Sequence, residues 1–142
     1  MVIPPKERSD QTKELIKTVF ENQLPNHGYR LCYGYHLEHY FLSKKMYNYA
    51  IGFNNKTGAL AIIPLLDGGS KASPVMKLAE NDIIMAKINA KGKVKLRTRK
   101  LRRQIVFTVS DYTPPKMMRY FALPIVQEDV AYEFMAFTRK HF

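Results

Sequence analysis

From residue 10 the apolar positions of this chain follow a helical period, and from residue 29 they follow a strand period. Leu15, Ile16, Val19, Phe20 and Leu24 recur at helical spacing, which predicts one amphipathic helix over 10–24. Ser9 or Asp10 is placed to cap it, because a short side-chain oxygen satisfies free amides of the first turn, and Pro25-Asn26-His27-Gly28 stops it. Tyr29, Leu31, Tyr33, Tyr35 and Leu37 then alternate with polar or small residues. After a polar break at Ser43-Lys44-Lys45, Tyr47, Tyr49, Ile51 and Phe53 do the same. Strands are predicted over 29–37 and 46–53. Asn54-Asn55-Lys56-Thr57-Gly58 reads as a hairpin turn, since Asn and Gly tolerate positive φ, with a returning strand over 59–65.

The stretch Asp67 to Pro74 (DGGSKASP) is a loop by composition, and 75–81 carries no clear period. Between Ile83 and Ser110 the alternation returns as three strands, near 83–89, 93–99 and 104–109, joined through the turn Ala90-Lys91-Gly92 and a second turn after Arg99. Pro114-Pro115 marks a further loop, because neither proline donates to a ladder. A last short strand is predicted over 119–125 and a helix over 127–140. That helix carries Glu128 and Asp129 in its first turn and Arg139 and Lys140 in its last, the signs that the helix dipole favours. Its buried stripe is Val130, Ala131, Phe134 and Phe137. Seven strands between two helices predict an α+β fold.

Charge changes this picture at one place. The middle strand of the 83–110 meander has cations at the odd positions from Lys91 to Arg99, while Gly92, Val94, Leu96 and Thr98 fill the even ones. Lys87, Lys91, Lys93, Lys95, Arg97, Arg99, Lys100, Arg102 and Arg103 lie in a stretch with no Asp or Glu, and they hold most of the formal net charge of +11. The expected result is a strand with one buried face and one cationic face. A run of this kind serves either as a binding surface or as a solubilising face that also discourages edge-to-edge pairing.

Composition adds bounds. With 142 residues, 46% hydrophobic and 25% charged, at a mean hydropathy of -0.31, the chain fits one globular unit. No apolar run approaches the ~18 residues of a membrane span, and MVIPPKERSD lacks a signal peptide's apolar segment, so a cytoplasmic protein is expected. The single cysteine, Cys32, sits among alternating apolar residues and reads as a small core side chain.

Seven strands followed by a helix with the cadence Ala131, Phe134, Phe137 resemble the bacterial pleckstrin-homology-like (PH-like) domains. Two stretches carry the likeness, ENDIIMAKINAKGKVKLRTR and ALPIVQEDVAYEFMAFTRKHF. The resemblance spans 29–142 and leaves 1–28 as an added leader and helix. It implies a PH-like open barrel of about seven antiparallel strands, capped by the C-terminal helix. In members that bind phosphoinositides, basic residues at the first hairpin hold the lipid phosphates. Lys44 and Lys45 occupy that place here, but Met46-Tyr47-Asn48-Tyr49 follows where those members carry Arg-x-Arg.

No nucleophile motif or carboxylate pair stands out, so no enzyme activity and no cofactor are expected. His36-x-x-His39 is a weak metal candidate, because residues three apart on a strand point to opposite faces, and no metal site is assigned. His27 and His141 read as polar surface residues, and Gly68-Gly69-Ser70-Lys71 reads as a connector more than an anion nest. The six tyrosines between 29 and 49 either pack in the core or stack on bases. Three readings follow. The first is a non-catalytic interaction module whose cationic meander, or the groove beside the C-terminal helix, docks an acidic protein or peptide. The second is nucleic-acid binding through the same face, and the third is peripheral binding to an anionic membrane surface.

Overall fold

The structure, a computed structural model, describes residues 2–142. Helix α1 (Lys6–Gln23) begins directly after Pro4-Pro5, ahead of the expected start at residue 10. Ser9 and Asp10 do not cap it. Asp10 pairs with Lys6 one turn earlier at 2.8 Å, and Ser9 is buried within the helix, where its Oγ accepts the Val126 N–H at 2.8 Å. A partner far along the chain has claimed the hydroxyl that local reasoning assigned to the cap.

The strands are β1 (Arg30–His39), β2 (Lys44–Phe53), β3 (Leu60–Leu66), β4 (Lys71–Ala72), β5 (Met76–Leu78), β6 (Ile83–Ile88), β7 (Lys93–Thr98) and β8 (Ile105–Thr108). They form one antiparallel sheet in the order β4-β3-β2-β1-β8-β7-β6, with β5 also paired to β3. β1 and β2 pair along their whole length, from Arg30 opposite Phe53 to His39 opposite Lys44. The Asn54–Ala59 turn sets the β2–β3 register: Asn54 Oδ1 accepts the Lys56 and Thr57 amides, and Gly58 takes the positive φ of 76°. β1 and β8, in contrast, meet at a single pair, Tyr35 opposite Thr108. The end strands β4 and β6 do not pair with each other, so the strands are antiparallel as expected but make an open sheet and not the open barrel of about seven strands.

Both faces of the β1–β3 half are covered. On one side Ile16, Val19 and Phe20 of α1 pack on Tyr33, Tyr35, Ala50, Ala61, Ile63 and Leu65. On the other, Cys32, Ile51, Phe53, Leu60 and Ile62 meet Val94, Leu96 and Phe107 from the β6–β8 half. Helix α3 (Glu128–His141) completes that second core, with the Phe134 and Phe137 rings 5.3 and 5.2 Å from the ring of Phe53. Its buried positions are Ala131, Phe134, Phe137 and Thr138. Among the described residues no helix is long and apolar enough to cross a membrane.

The strand expected over 119–125 does not form. Pro115 instead opens a one-turn helix α2 (Pro115–Met118), where its missing N–H costs nothing, and the chain leaves through Phe121 at φ 76°. Ala122 N–H bonds back to Met117 O, and the amides of Leu123, Ile125 and Val126 bond to side chains instead of a ladder. Leu123 N–H donates to Tyr33 Oη (2.9 Å), Ile125 N–H to Thr113 Oγ1 (3.1 Å) and Val126 N–H to Ser9 Oγ. Only one bridge, Tyr112 with Val126, remains of strand pairing.

Candidate functional site

β7 displays its cations as the alternation requires: Lys93, Lys95 and Arg97 are exposed, while Val94, Leu96 and Thr98 are buried. The register with β6 sets Lys87 opposite Lys95 and Met85 opposite Arg97. With β8 it sets Val106 opposite Lys95 and Thr108 opposite Lys93. Like charges directly opposite one another on a sheet destabilise it, so the Lys87–Lys95 pair is held in place at some cost to folding. Among the described residues no acidic side chain pairs with Lys87, Lys93, Lys95 or Arg97. The face therefore keeps a positive field, which at Lys93 borders a groove also lined by Asp111, Glu128 and Asp129.

The tight turn into β7 is built by Asn89, whose Oδ1 accepts the Lys91 and Lys93 amides at 2.9 and 3.1 Å. Gly92, at φ 87°, lies so close to Val109 that an added Cβ would sit 2.1 Å from the Val109 carbonyl oxygen. The Val109 N–H returns a bond to Gly92 O at 3.0 Å, which locks the two ends of the β7–β8 unit together.

The other cations of the run go elsewhere. Arg99 Nε donates to Asn81 O at 3.1 Å, and Lys100 Nζ donates to Lys77 O at 3.0 Å while lying 3.4 Å from the Asp82 carboxylate. Both clamp the 80–82 turn and leave the face. The Ala79 N–H and then Lys100 hold the Asp82 carboxyl below the ordinary Asp value. Lys91 sits in the turn at one end of β7, whereas Arg102 and Arg103 sit beyond its other end and line a groove with Tyr40, Tyr47 and Tyr49.

Lys44 and Lys45 do not converge on one site. Adjacent on β2, they point to opposite faces. Lys44 Nζ donates to Tyr120 Oη at 3.2 Å, and Lys45 Nζ lies 4.9 Å from the centre of the Tyr47 ring. Of the six tyrosines, Tyr33 and Tyr35 are core residues, and burial pushes the hydroxyl pKa of Tyr49 up to about 12. Tyr40 is half exposed, its hydroxyl 3.0 Å from that of Tyr47.

His36 Nε2 lies 2.7 Å from Glu38, and among the described residues no three His, Cys, Asp or Glu side chains gather in a way that could hold a metal ion. His141 is not a free surface residue: its ring is wedged between Glu80 and the Asn55 carbonyl, tying α3 to the β2–β3 hairpin. His27 packs edge-on against Phe20, ring centres 5.4 Å apart. In the 67–71 loop, Ser70 Oγ donates to Asp67 O and Lys71 lies 3.7 Å from Asp67, so hydroxyl and cation both have partners inside the loop.

Besides a groove at its first turn, lined by Lys13, Ile16, Arg30 and Val130, two grooves flank α3. The broader one, about 1610 Å³, is lined by Glu38, Asp111, Glu128, Asp129 and Glu133 as well as by cations, so its charge is mixed. The narrower one runs between β6 and the end of α3, past Ala86, Lys87, Ile88, Arg139 and Phe142, and contains no acid. Sequence reasoning names a groove beside the C-terminal helix but not the hairpin tip at Phe41 and Leu42, whose side chains stand almost wholly in solvent. The only local signal for the tip was an apolar pair beside Ser43-Lys44-Lys45. No protein-family model, no curated protein and no solved structure matches this chain.

Proposed function

We propose that this chain is a non-catalytic interaction module that docks an acidic peptide segment of a partner protein on the cationic face of β6 and β7. The observation that carries the reading is the exposed, unpaired set Lys87, Lys93, Lys95 and Arg97, spread over two adjacent strands with no acid among them. β6 is also the end strand of the sheet, so its outer edge offers backbone donors and acceptors to an added strand. The acid-free groove between β6 and α3 gives the peptide's alternate side chains an apolar wall in Ile88 and Phe142. The mixed charge of the broad groove makes it a poorer match for an acidic partner.

A PH-like scaffold is the architecture in which we place this module. Its support is the antiparallel strand succession followed by a helix that buries Ala131, Phe134 and Phe137. The open sheet and the unformed strand at 119–125 are departures from that pattern. Nucleic acid is the competing occupant. The peptide reading is preferred because the free outer edge of β6 can pair with an added strand.

The test is fluorescence anisotropy with a labelled peptide of alternating Glu and Val, beside a labelled single-stranded RNA, each at several salt concentrations. The parent should bind the peptide, and a Lys93/Lys95/Arg97→Glu variant with an unchanged unfolding midpoint should lose that binding. Equal peptide affinity in parent and variant would refute the assignment. Tight RNA binding, with log affinity falling by about 0.7 per neutralised phosphate against log salt, would transfer the face to nucleic acid.

A further inference from the structure

At the end of the molecule away from the Asn89–Gly92 turn, the β1–β2 hairpin projects Tyr40, Phe41 and Leu42, which are 50%, 97% and 89% exposed. A water-soluble surface has no use for two adjacent large apolar side chains held wholly in solvent at a hairpin tip. The tip is ordered, since Tyr40 N–H donates to Ser43 O at 2.8 Å and β1 and β2 are paired up to His39 and Lys44. Phe121 stands beside the same hairpin, 81% exposed, and Asn48 Nδ2 donates to its carbonyl at 3.2 Å. Its positive φ is a conformation that bulky residues rarely adopt, and it directs one more ring outward.

Hydroxyl-bearing rings and cations flank these apolar groups. Tyr40 and Tyr47 share a hydroxyl contact, and Tyr120 receives Lys44 at its hydroxyl and beneath its ring, 4.7 Å from the centre. Lys45 lies over Tyr47, and Arg102 and Arg103 border the same groove. The nearest carboxylate in that groove, Glu38, is engaged with His36. Apolar tip, tyrosines and cations thus gather at one end of the hairpin, the three kinds of side chain that a bilayer's hydrocarbon, interface and anionic headgroups receive.

We propose that this end of the molecule is a second binding site, distinct from the β6–β7 face, which docks on an anionic membrane surface by inserting Phe41, Leu42 and Phe121 below the headgroups. The charge around the tip selects the occupant: an apolar protein groove would have no need of the Lys44, Lys45, Arg102 and Arg103 collar. Lys44 and Lys45 contact headgroups from opposite sides of the hairpin, so the site reads surface charge and does not enclose one phosphate.

The chain contains no tryptophan, so Phe41→Trp places a sole reporter at the tip. The variant is titrated with vesicles of phosphatidylcholine alone and of phosphatidylcholine mixed with phosphatidylglycerol. With the anionic vesicles its emission should shift to the blue and be quenched by lipids brominated in the acyl chain, and with neutral vesicles it should change little. A Phe41/Leu42→Ser variant keeps every charge. Its partitioning in vesicle sedimentation should fall by about tenfold or more, while its unfolding midpoint stays at the parent's value. Adsorption through the β6–β7 cations alone would leave this variant's sedimentation unchanged and would overturn the proposal. So would a reporter that no vesicle shifts, the result expected of a tip that meets a protein.

Discussion

Gln127 stands where β8 parts from β1, and its side chain does the work of a missing strand. Its Oε1 accepts the Tyr33 N–H at 2.9 Å, and its Nε2 donates to Tyr33 O at 2.8 Å and to Ser110 O at 3.1 Å. The residue is 4% exposed and sits just before the first turn of α3. Replacing it with alanine strands one buried N–H, one buried carbonyl and one part-buried carbonyl. At about 1–3 kcal/mol for each group left unsatisfied, and with partial relief from entering water, Gln127→Ala should cost about 3–5 kcal/mol. That is a large share of the ~5–15 kcal/mol by which a domain is stable. Urea unfolding followed by circular dichroism measures the loss, and hydrogen exchange should show the Tyr33 amide exposed by local opening. Gln127→Glu tests the donor side separately, because a carboxylate can still accept from Tyr33 N–H but meets the two carbonyls with no proton to offer. It should be at least as damaging as alanine near neutral pH. A Gln127→Ala stability within about 1 kcal/mol of the parent would refute the view that this amide substitutes for a ladder partner.

Other expectations follow from single sites. Gly92→Ala combines a left-handed φ with a Cβ placed against the Val109 carbonyl, and should destabilise the protein by about 2 kcal/mol or more in the same urea assay; a neutral result would mean that the turn can relax. The Asp82 carboxyl should titrate below the ordinary Asp value by carbon-detected NMR. Because its folded-state pKa is lowered, its contribution to stability is present above the unfolded-state value and is lost as pH falls through the folded one. Lys100→Met should raise that midpoint only in part, since the Ala79 amide is the larger cause; full return to the ordinary value would contradict this ranking. Burial raises the Cys32 thiol well above its usual pKa, so it should react with an aromatic disulfide reagent only as fast as the protein opens, and rapid labelling of native protein would count against its core position.

Much of the strand pattern was legible because it is local. A strand with one dry face must alternate, and β7 keeps its alternation from Lys93 to Thr98 as written in the sequence. The Asn54–Gly58 turn and the stripe of α3 were legible for the same reason: each depends on spacing within a few residues. The short strands β4 and β5 were not, because two- and three-residue segments carry no period and exist only through their pairing with β3. Residues 119–125 misled in the opposite sense. Their apolar content suits a strand, yet no strand edge reaches them: carbonyls of Pro115, Met117 and Met118 take the amides of 119–122, and hydroxyls of Tyr33 and Thr113 take those of Leu123 and Ile125.

The candidate site divides along the same line. The sequence by itself determined that the 83–110 stretch would expose cations on one face of a strand, because charge cannot be buried unpaired and the even positions are apolar. Only the tertiary structure decided which cations share a surface. Lys87 joins Lys95 through the β6–β7 register, Arg99 and Lys100 turn away to the 80–82 segment, and Arg102 and Arg103 face the tyrosines of a distant hairpin. It also left Phe41 and Leu42 uncovered, which no local pattern shows. Alternation is a property of consecutive residues, whereas a charge's neighbours and a side chain's burial depend on segments that meet only when the chain has folded.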